Sequence, residues 1–191
     1  MKKEDLCRVF SRMPQLTTRR LTLRPLRVSD SADMYDYARR PDVTKYLLWR
    51  PHADASYTKR YLEYLAGRYR IGAHYEWAIV DNESGRMIGT CGFASIDCVN
   101  NSAELGYVLH PDFHGKGIMH EAASRVLCYG FDTLHLRRIQ ARYMVENIAS
   151  RHVLDKLGMT FEGVTRAGML VRGFYRDIGV CAILREEFKA E

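Results

Sequence analysis

Between Ala103 and Leu134 the apolar residues change their period once, and the change falls across a glycine loop. Leu105, Tyr107 and Leu109 alternate with Glu104, Gly106 and Val108, the period of two that a β-strand imposes. Pro111 ends that run. From Ile118 onward, Met119, Ala122, Ala123, Val126, Leu127, Gly130, Phe131 and Leu134 recur at helical spacing. A strand that passes through His114-Gly115-Lys116-Gly117 into a helix leaves backbone N–H groups unpaired at the positive end of the helix dipole. The spacing therefore predicts an anion site suited to phosphate. It does not match the common phosphate loops. A P-loop needs glycine where His110 stands and a hydroxyl where Gly117 stands, and a dinucleotide fingerprint needs glycine in place of His120.

Residues 138–145 read as another strand, so strand, helix and strand make a central βαβ unit. Asn147 and Ser150 then open a short helix that closes at Lys156-Leu157-Gly158-Met159, ahead of Phe161-Glu162-Gly163. Upstream, residues 75–80 and 87–96 form a hairpin around the turn at 82–85, and residues 160–171 and 174–185 form a closing one. Leu21 and Leu23 alternate with Thr22 and Arg24 in a first strand, and Ser29-Asp30 is expected to cap a helix carrying Ala32, Met34, Tyr35 and Ala38. Residues 1–15, of mixed charge and containing Pro14, read as a peripheral N-terminal arm, and 16–191 as a single domain, since 191 residues at 47% hydrophobic content support one well-buried core.

The loop at 114–119 resembles motif A of the GNAT N-acetyltransferases, [QR]-x-x-G-x-[GA], with His114 in place of Gln/Arg and Met119 in place of the last small residue. The N-x-x-S, K-L-G-[MF] and F-E-G elements resemble motif B. Together with residues 18–24 and Gly173-Phe174-Tyr175-Arg176-Asp177, the match is closest to the branch that acetylates ribosomal-protein N-termini (RimJ/RimL-like), over about residues 16–188. The resemblance implies an α/β (α+β) GNAT fold: a mixed, mostly antiparallel central sheet of about seven strands flanked by helices. It implies acetyl-CoA as co-substrate and a primary-amine acceptor, here a protein or peptide N-terminal α-amine. Two alternatives stay open, a small-molecule amine acceptor (antibiotic, polyamine or amino acid) and a non-catalytic CoA-binding module.

The resemblance also assigns roles. Backbone groups of Val108, Leu109 and His110 would meet the pantetheine amides and the thioester oxygen, and the loop from His114 through Gly115, Lys116, Gly117, Ile118 and Met119 would hold the diphosphate. The Met119 side chain falls in register with Ala123, Val126 and Leu127, so it is expected to turn into the core and leave only its N–H for the cofactor. Asn147 would hold cofactor and chain together. Glu104 is either the base that takes the amine proton through a water or a solvated structural carboxylate. The motif B tyrosine that protonates the thiolate in many relatives is Leu154 here, so Ser150 is either the donor or a helix cap. In the aromatic-rich stretch 43–65, Tyr46 and Trp49 are the acceptor-groove candidates, with core packing as the alternative.

Charge and cysteines narrow the rest. The net charge of +6 is spread over 29 basic and 23 acidic residues without a run, which is the only support for nucleic acid as partner. Five cysteines without a C-x-x-C pair, and histidines without metal spacing, argue against a disulfide framework and against a metal. The first residues lack a signal-peptide core and no long apolar run follows, so no membrane partner is expected and the cytoplasm is the expected compartment. A homodimer is left open.

Overall fold

The structure is a computed structural model and describes residues 2–189. In chain order the elements are α1 (Lys3–Ser11), β1 (Leu16–Thr17), β2 (Leu21–Arg24), α2 (Ser31–Ala38), α3 (Pro41–Thr44), α4 (Ala55–Arg70), β3 (Tyr75–Asp81), β4 (Met87–Asp97), β5 (Ser102–Leu109), α5 (Ile118–Cys128), β6 (Arg138–Met144), α6 (Ile148–Lys156), β7 (Thr160–Val171) and β8 (Phe174–Leu184). One sheet of eight strands runs in the order β1-β2-β3-β4-β5-β6-β8-β7, and every pairing is antiparallel except β5 with β6. The eighth strand beyond the expected set is β1. Thr18 N–H donates to the Leu21 carbonyl, so the chain reverses and Leu16 comes to lie against Leu23.

The two sheet faces are built from alternate residues. Trp77 and Cys91 lie on the face covered by α5, together with Tyr129 at its end. Glu76, Thr90 and Val108 lie on the face covered by α2 and α4, where they line a cavity. The apolar positions picked out by helical spacing in α5 are all buried, including Met119, which turns inward as expected. Past Cys128 the helix widens into a π turn over Tyr129–Thr133. Gly130 is needed there, since a Cβ would stand 2.8 Å from Ile139 Cδ1 and 2.9 Å from Phe93 Cζ.

Two expectations are corrected. Residues 2–15 are not a peripheral arm. Leu6 and Phe10, one turn apart on α1, enter the core, where Phe10 packs edge-on against Tyr75 at 4.8 Å and Trp77 at 5.9 Å. The Trp77 indole N–H donates to the Pro14 carbonyl at 2.7 Å, fixing the connection to the sheet. Ser29-Asp30 does not cap α2 through a side chain. Asp30 instead accepts from Arg24 at 2.7 and 2.9 Å and from Arg27 N–H at 2.8 Å, at the end of a 3₁₀ turn over Val28–Asp30.

Candidate active site

The parallel pair β5–β6 is joined only at Ser102–Glu104 against Arg138–Gln140, whereas β5 stays paired with β4 through Leu109. Beyond Glu104 the two strands part. Among the described residues the β6-facing edge of β5 from Leu105 to Leu109 has no strand partner, so peptide groups there suit a ligand that looks like peptide. Of the three residues expected to offer backbone groups, Val108 and Leu109 lie along this edge. His110 is different: its N–H donates to the Ile88 carbonyl at 2.7 Å, and its buried ring is held between Asp36 Oδ2 at 3.2 Å and the Asp112 N–H.

At the mouth of this gap stands the start of α5. Gly117 is its N-cap with φ +73°, and Gly115 has the same φ, a left-handed conformation that glycine adopts without cost. Gly115, Lys116 and Gly117 are exposed, and the first N–H groups of α5 follow them. The loop is pinned from the side by Arg20, whose guanidinium donates to the Lys116 carbonyl at 3.0 Å and to Glu121 Oε2 at 2.6 Å. Thr18 and the Arg20 N–H also donate to Glu121. Burial works against ionisation of Glu121, but these donors outweigh it and hold its carboxyl below the ordinary value. The His114 ring bonds the Leu109 carbonyl at 3.0 Å rather than reaching outward, and Lys116 Nζ lies over the Phe113 ring.

On the other side of the gap is the start of α6. Its cap is Asn147, whose Oδ1 accepts from Ser150 N–H at 3.1 Å. Ser150 is therefore capped and is not itself the cap. Its hydroxyl instead bonds Tyr107 OH at 2.9 Å, and Tyr107 also donates to the Ser150 carbonyl at 3.2 Å. Burial pushes the Tyr107 phenol up, with the Ser150 bond acting in the opposite direction. A hydroxyl pair thus stands beside the helix whose usual tyrosine position is the buried Leu154. Asn147→Ala is expected to cost about 1 kcal/mol of stability through loss of the cap. Ser150→Ala should leave the cap intact and show a smaller shift, and equal shifts in thermal denaturation would contradict this assignment.

Glu104 is not solvated alone. Both of its oxygens accept from Arg142 Nε at 3.0 Å, and its side chain is 17% exposed. Tyr46 packs with a small second cluster of Met144, Val171 and Ile178, whereas Trp49 lines the cavity between α2, α4 and the sheet. Arg172 at the tip of the β7–β8 hairpin donates to the carbonyls of Thr44 and Trp49, both at 2.6 Å, and so holds the loop bearing both aromatics. The cavity measures about 140 Å³ and is walled by Trp49, His52, Tyr57, Tyr61 and Val108, with Glu76 as its carboxylate.

Sequence reasoning missed Glu76, Arg20, Arg172 and the hydroxyl of Tyr107. For Glu76 a signal existed: one carboxylate in the otherwise uncharged strand segment Tyr75-Glu76-Trp77-Ala78-Ile79-Val80. Nothing in the sequence marked the other three, whose partners lie 43 or more positions away.

A helix start that presents unpaired N–H groups beside a parted parallel strand pair has the geometry to receive an anionic, extended ligand along the strand edge. Residues 20–160 match the acetyltransferase (GNAT) domain family. The chain is 34% identical over 176 residues to an uncharacterised N-acetyltransferase, p20, of Bacillus licheniformis, with 92% of this chain and 99% of that protein covered. It is 28% identical over 171 residues to the [ribosomal protein uS5]-alanine N-acetyltransferase of Escherichia coli (strain K12), covering 85% and 87%. Among solved structures, a GNAT-family acetyltransferase from Bacillus anthracis superposes with a TM-score of 0.81 at 26% identity, covering 91% of this chain and all of that one. The chain belongs to the GNAT acetyltransferase family and is an acyl-transferring enzyme, with relatives in the ribosomal-protein branch that its motifs resemble. The family uses acetyl-CoA as co-substrate. Among the described residues no helix is long and apolar enough to cross a membrane.

Proposed function

We propose that this enzyme moves the acetyl group of acetyl-CoA to the α-amine of a protein or peptide. The observation that carries the reading is the parting of β5 from β6 beyond Glu104, with the α5 loop at one side and the Glu76 cavity on the β5 face. The roles follow from position. The N–H groups from Gly115 to Met119 hold the diphosphate, with Arg20 fixing their loop. The β5 edge at Val108 and Leu109 holds the pantetheine amides and stabilises the oxyanion that forms on the thioester carbonyl. Ser150, bonded to Tyr107, returns a proton to the departing sulfur.

The acceptor assignment rests on proton arithmetic as well as on the uS5-alanine relative. An α-amine with a pKa near 7.8 is about a quarter neutral at pH 7.4, whereas a lysine near 10.4 is neutral in about one molecule in a thousand. A weak base suffices for the first. A small cavity walled by aromatics also suits a small free amine, which is the second reading. Acetyl transfer measured against N-terminal alanine and serine peptides, α-blocked lysine peptides and a polyamine separates them. N-terminal peptides should show the highest kcat/KM, and a polyamine or lysine peptide outpacing them all would overturn the assignment.

A further inference from the structure

Resting on that transferase reading, we propose that Glu76, on a strand two places away from β5, is the group that takes the proton of the acceptor's ammonium, inside the aromatic cavity. In register, Glu76 lies opposite Gly92, and Gly92 lies opposite Gly106. Two of the three positions in this cross-strand row carry no side chain, which leaves the carboxylate room to lie over β4 toward β5. Glu76 Oε1 reaches to 3.6 Å from where a Cβ on Gly106 would stand. Gly92 cannot be replaced without collision, because its Cβ would fall 2.4 Å from Glu76 Cα. Two residues past Gly106, Val108 lines the same cavity on the unpartnered stretch of β5, where the thioester is proposed to lie. Glu104 shares this face, but both of its oxygens are occupied by Arg142.

The surroundings of Glu76 favour proton uptake. Its side chain keeps a quarter of its surface open, and it lines the cavity. The groups that face it are His74 just before β3, Tyr61 and Tyr69 on α4, Tyr37 on α2 and His52 from the loop before α4, while Cys91 on β4 lies on the opposite face of the sheet. Among the described residues no arginine or lysine pairs with it. Burial therefore pushes its carboxyl up to about 7. Next to it, burial and then the Arg68 charge push His74 down to about 4, so that ring is neutral at pH 7. Among the described residues the buried His74 Nε2 has no hydrogen-bond partner; it lies 3.6 Å from Glu76 Oε2 and is placed to receive the bond of a newly protonated carboxyl after a small shift.

The step balances as follows. The ammonium gives one proton to Glu76, and the freed nitrogen lone pair forms a C–N bond to the thioester carbon. The C–S bond then breaks, the sulfur leaves with a second proton from the nitrogen through the Ser150 hydroxyl, and Glu76 releases its proton to solvent as product departs. A base near 7 is nearly matched to an α-amine, whereas a lysine would hold its proton about three orders of magnitude more tightly.

The test is Glu76→Gln in the full chain, beside Glu104→Gln. Glu76→Gln should lower kcat for an N-terminal peptide about 100-fold or more at pH 7 and remove the acid limb of the kcat profile, while coenzyme A affinity by calorimetry stays within about twofold. Glu104→Gln should keep that limb. Thermal denaturation supplies a readout without turnover. The folded carboxyl titrates at about 7 and the unfolded one at 4.5, so the native state keeps a proton that the unfolded state has released between those values. Stability contributed by that proton is lost as pH rises through this window. Glu76→Gln should thus gain on the parent in Tm from pH 4.5 to 7 and stay ahead above it. A retained acid limb with a flat Tm difference would overturn the role of Glu76, as would its loss in Glu104→Gln alone. If the parent acetylates no amine and binds no coenzyme A, the transferase reading fails instead, and the role falls with it.

Discussion

Gly117→Glu should weaken coenzyme A binding about 100-fold, a loss of about 2.7 kcal/mol, while the protein stays folded. Space is not the reason. A Cβ at this position meets only Arg20 Nη2 at 3.6 Å, an ordinary contact. The effect has two parts. Gly117 sits at φ +73°, and holding a side-chain-bearing residue there costs about 1–2 kcal/mol, which the loop relieves by turning its N–H groups away from their common focus. The introduced carboxylate also lands at the N-terminus of α5 beside Arg20, where it would take the place of the phosphate proposed to bind there. Gly117→Ala, which carries only the first part, should lose about tenfold. Titration calorimetry on both variants checks this, and an unchanged affinity in Gly117→Glu would remove the anion site from the mechanism.

The largest loss of stability is expected from Asp30→Ala, at about 3 kcal/mol or more. Arg24 and Asp30 form a two-pronged pair at 2.7 and 2.9 Å with side-chain exposures of 13% and 6%. The bond to Asp30 raises the Arg24 guanidinium further above its ordinary value, with burial opposing, so a charge remains there whatever the pH. Alanine leaves that charge buried and unpaired, and also removes the acceptor for Arg27 N–H. For a chain of this length the midpoint of thermal unfolding should fall by roughly 6–12 °C. Because Leu26, between the two partners, lines the cavity proposed to take the acceptor, the KM for the amine should rise as well. Asp30→Asn, which can still accept from Arg27, should fall between the two, and a midpoint within about 2 °C of the parent in Asp30→Ala would refute the argument.

Much of the frame was legible without coordinates because it is local. The change of period across the glycine loop placed β5, the phosphate-suited turn and α5, and the buried side of α5 is the set of residues that helical spacing picks out. The hairpins β3–β4 and β7–β8 were visible for the same reason, since short turns join neighbours in sequence. Asn147 and Ser150 were legible as a pair because they stand three positions apart, and the Asn147 side chain decides which of them is the cap, whereas the meeting of the Ser150 hydroxyl with Tyr107, 43 positions away, was not legible.

What only the tertiary structure decided is which charges meet. The period of a strand says which residues share a face, and by that rule Glu76 and Glu104 look alike. Register then separates them: β6 brings Arg142 onto Glu104, while β4 and β5 bring two glycines alongside Glu76 and leave it facing a cavity instead of a cation. Phe10 reached the core by the same kind of long-range contact, from a stretch whose own sequence reads as a surface arm. Local pattern is set by steric preferences within a few residues, so the chain alone determined its central strands and helices and the glycine loop between β5 and α5, but not α1 or β1. The ionisation and pairing of a carboxylate depend on what stands within a few ångströms of it, and in this enzyme those neighbours come from segments that only folding brings together.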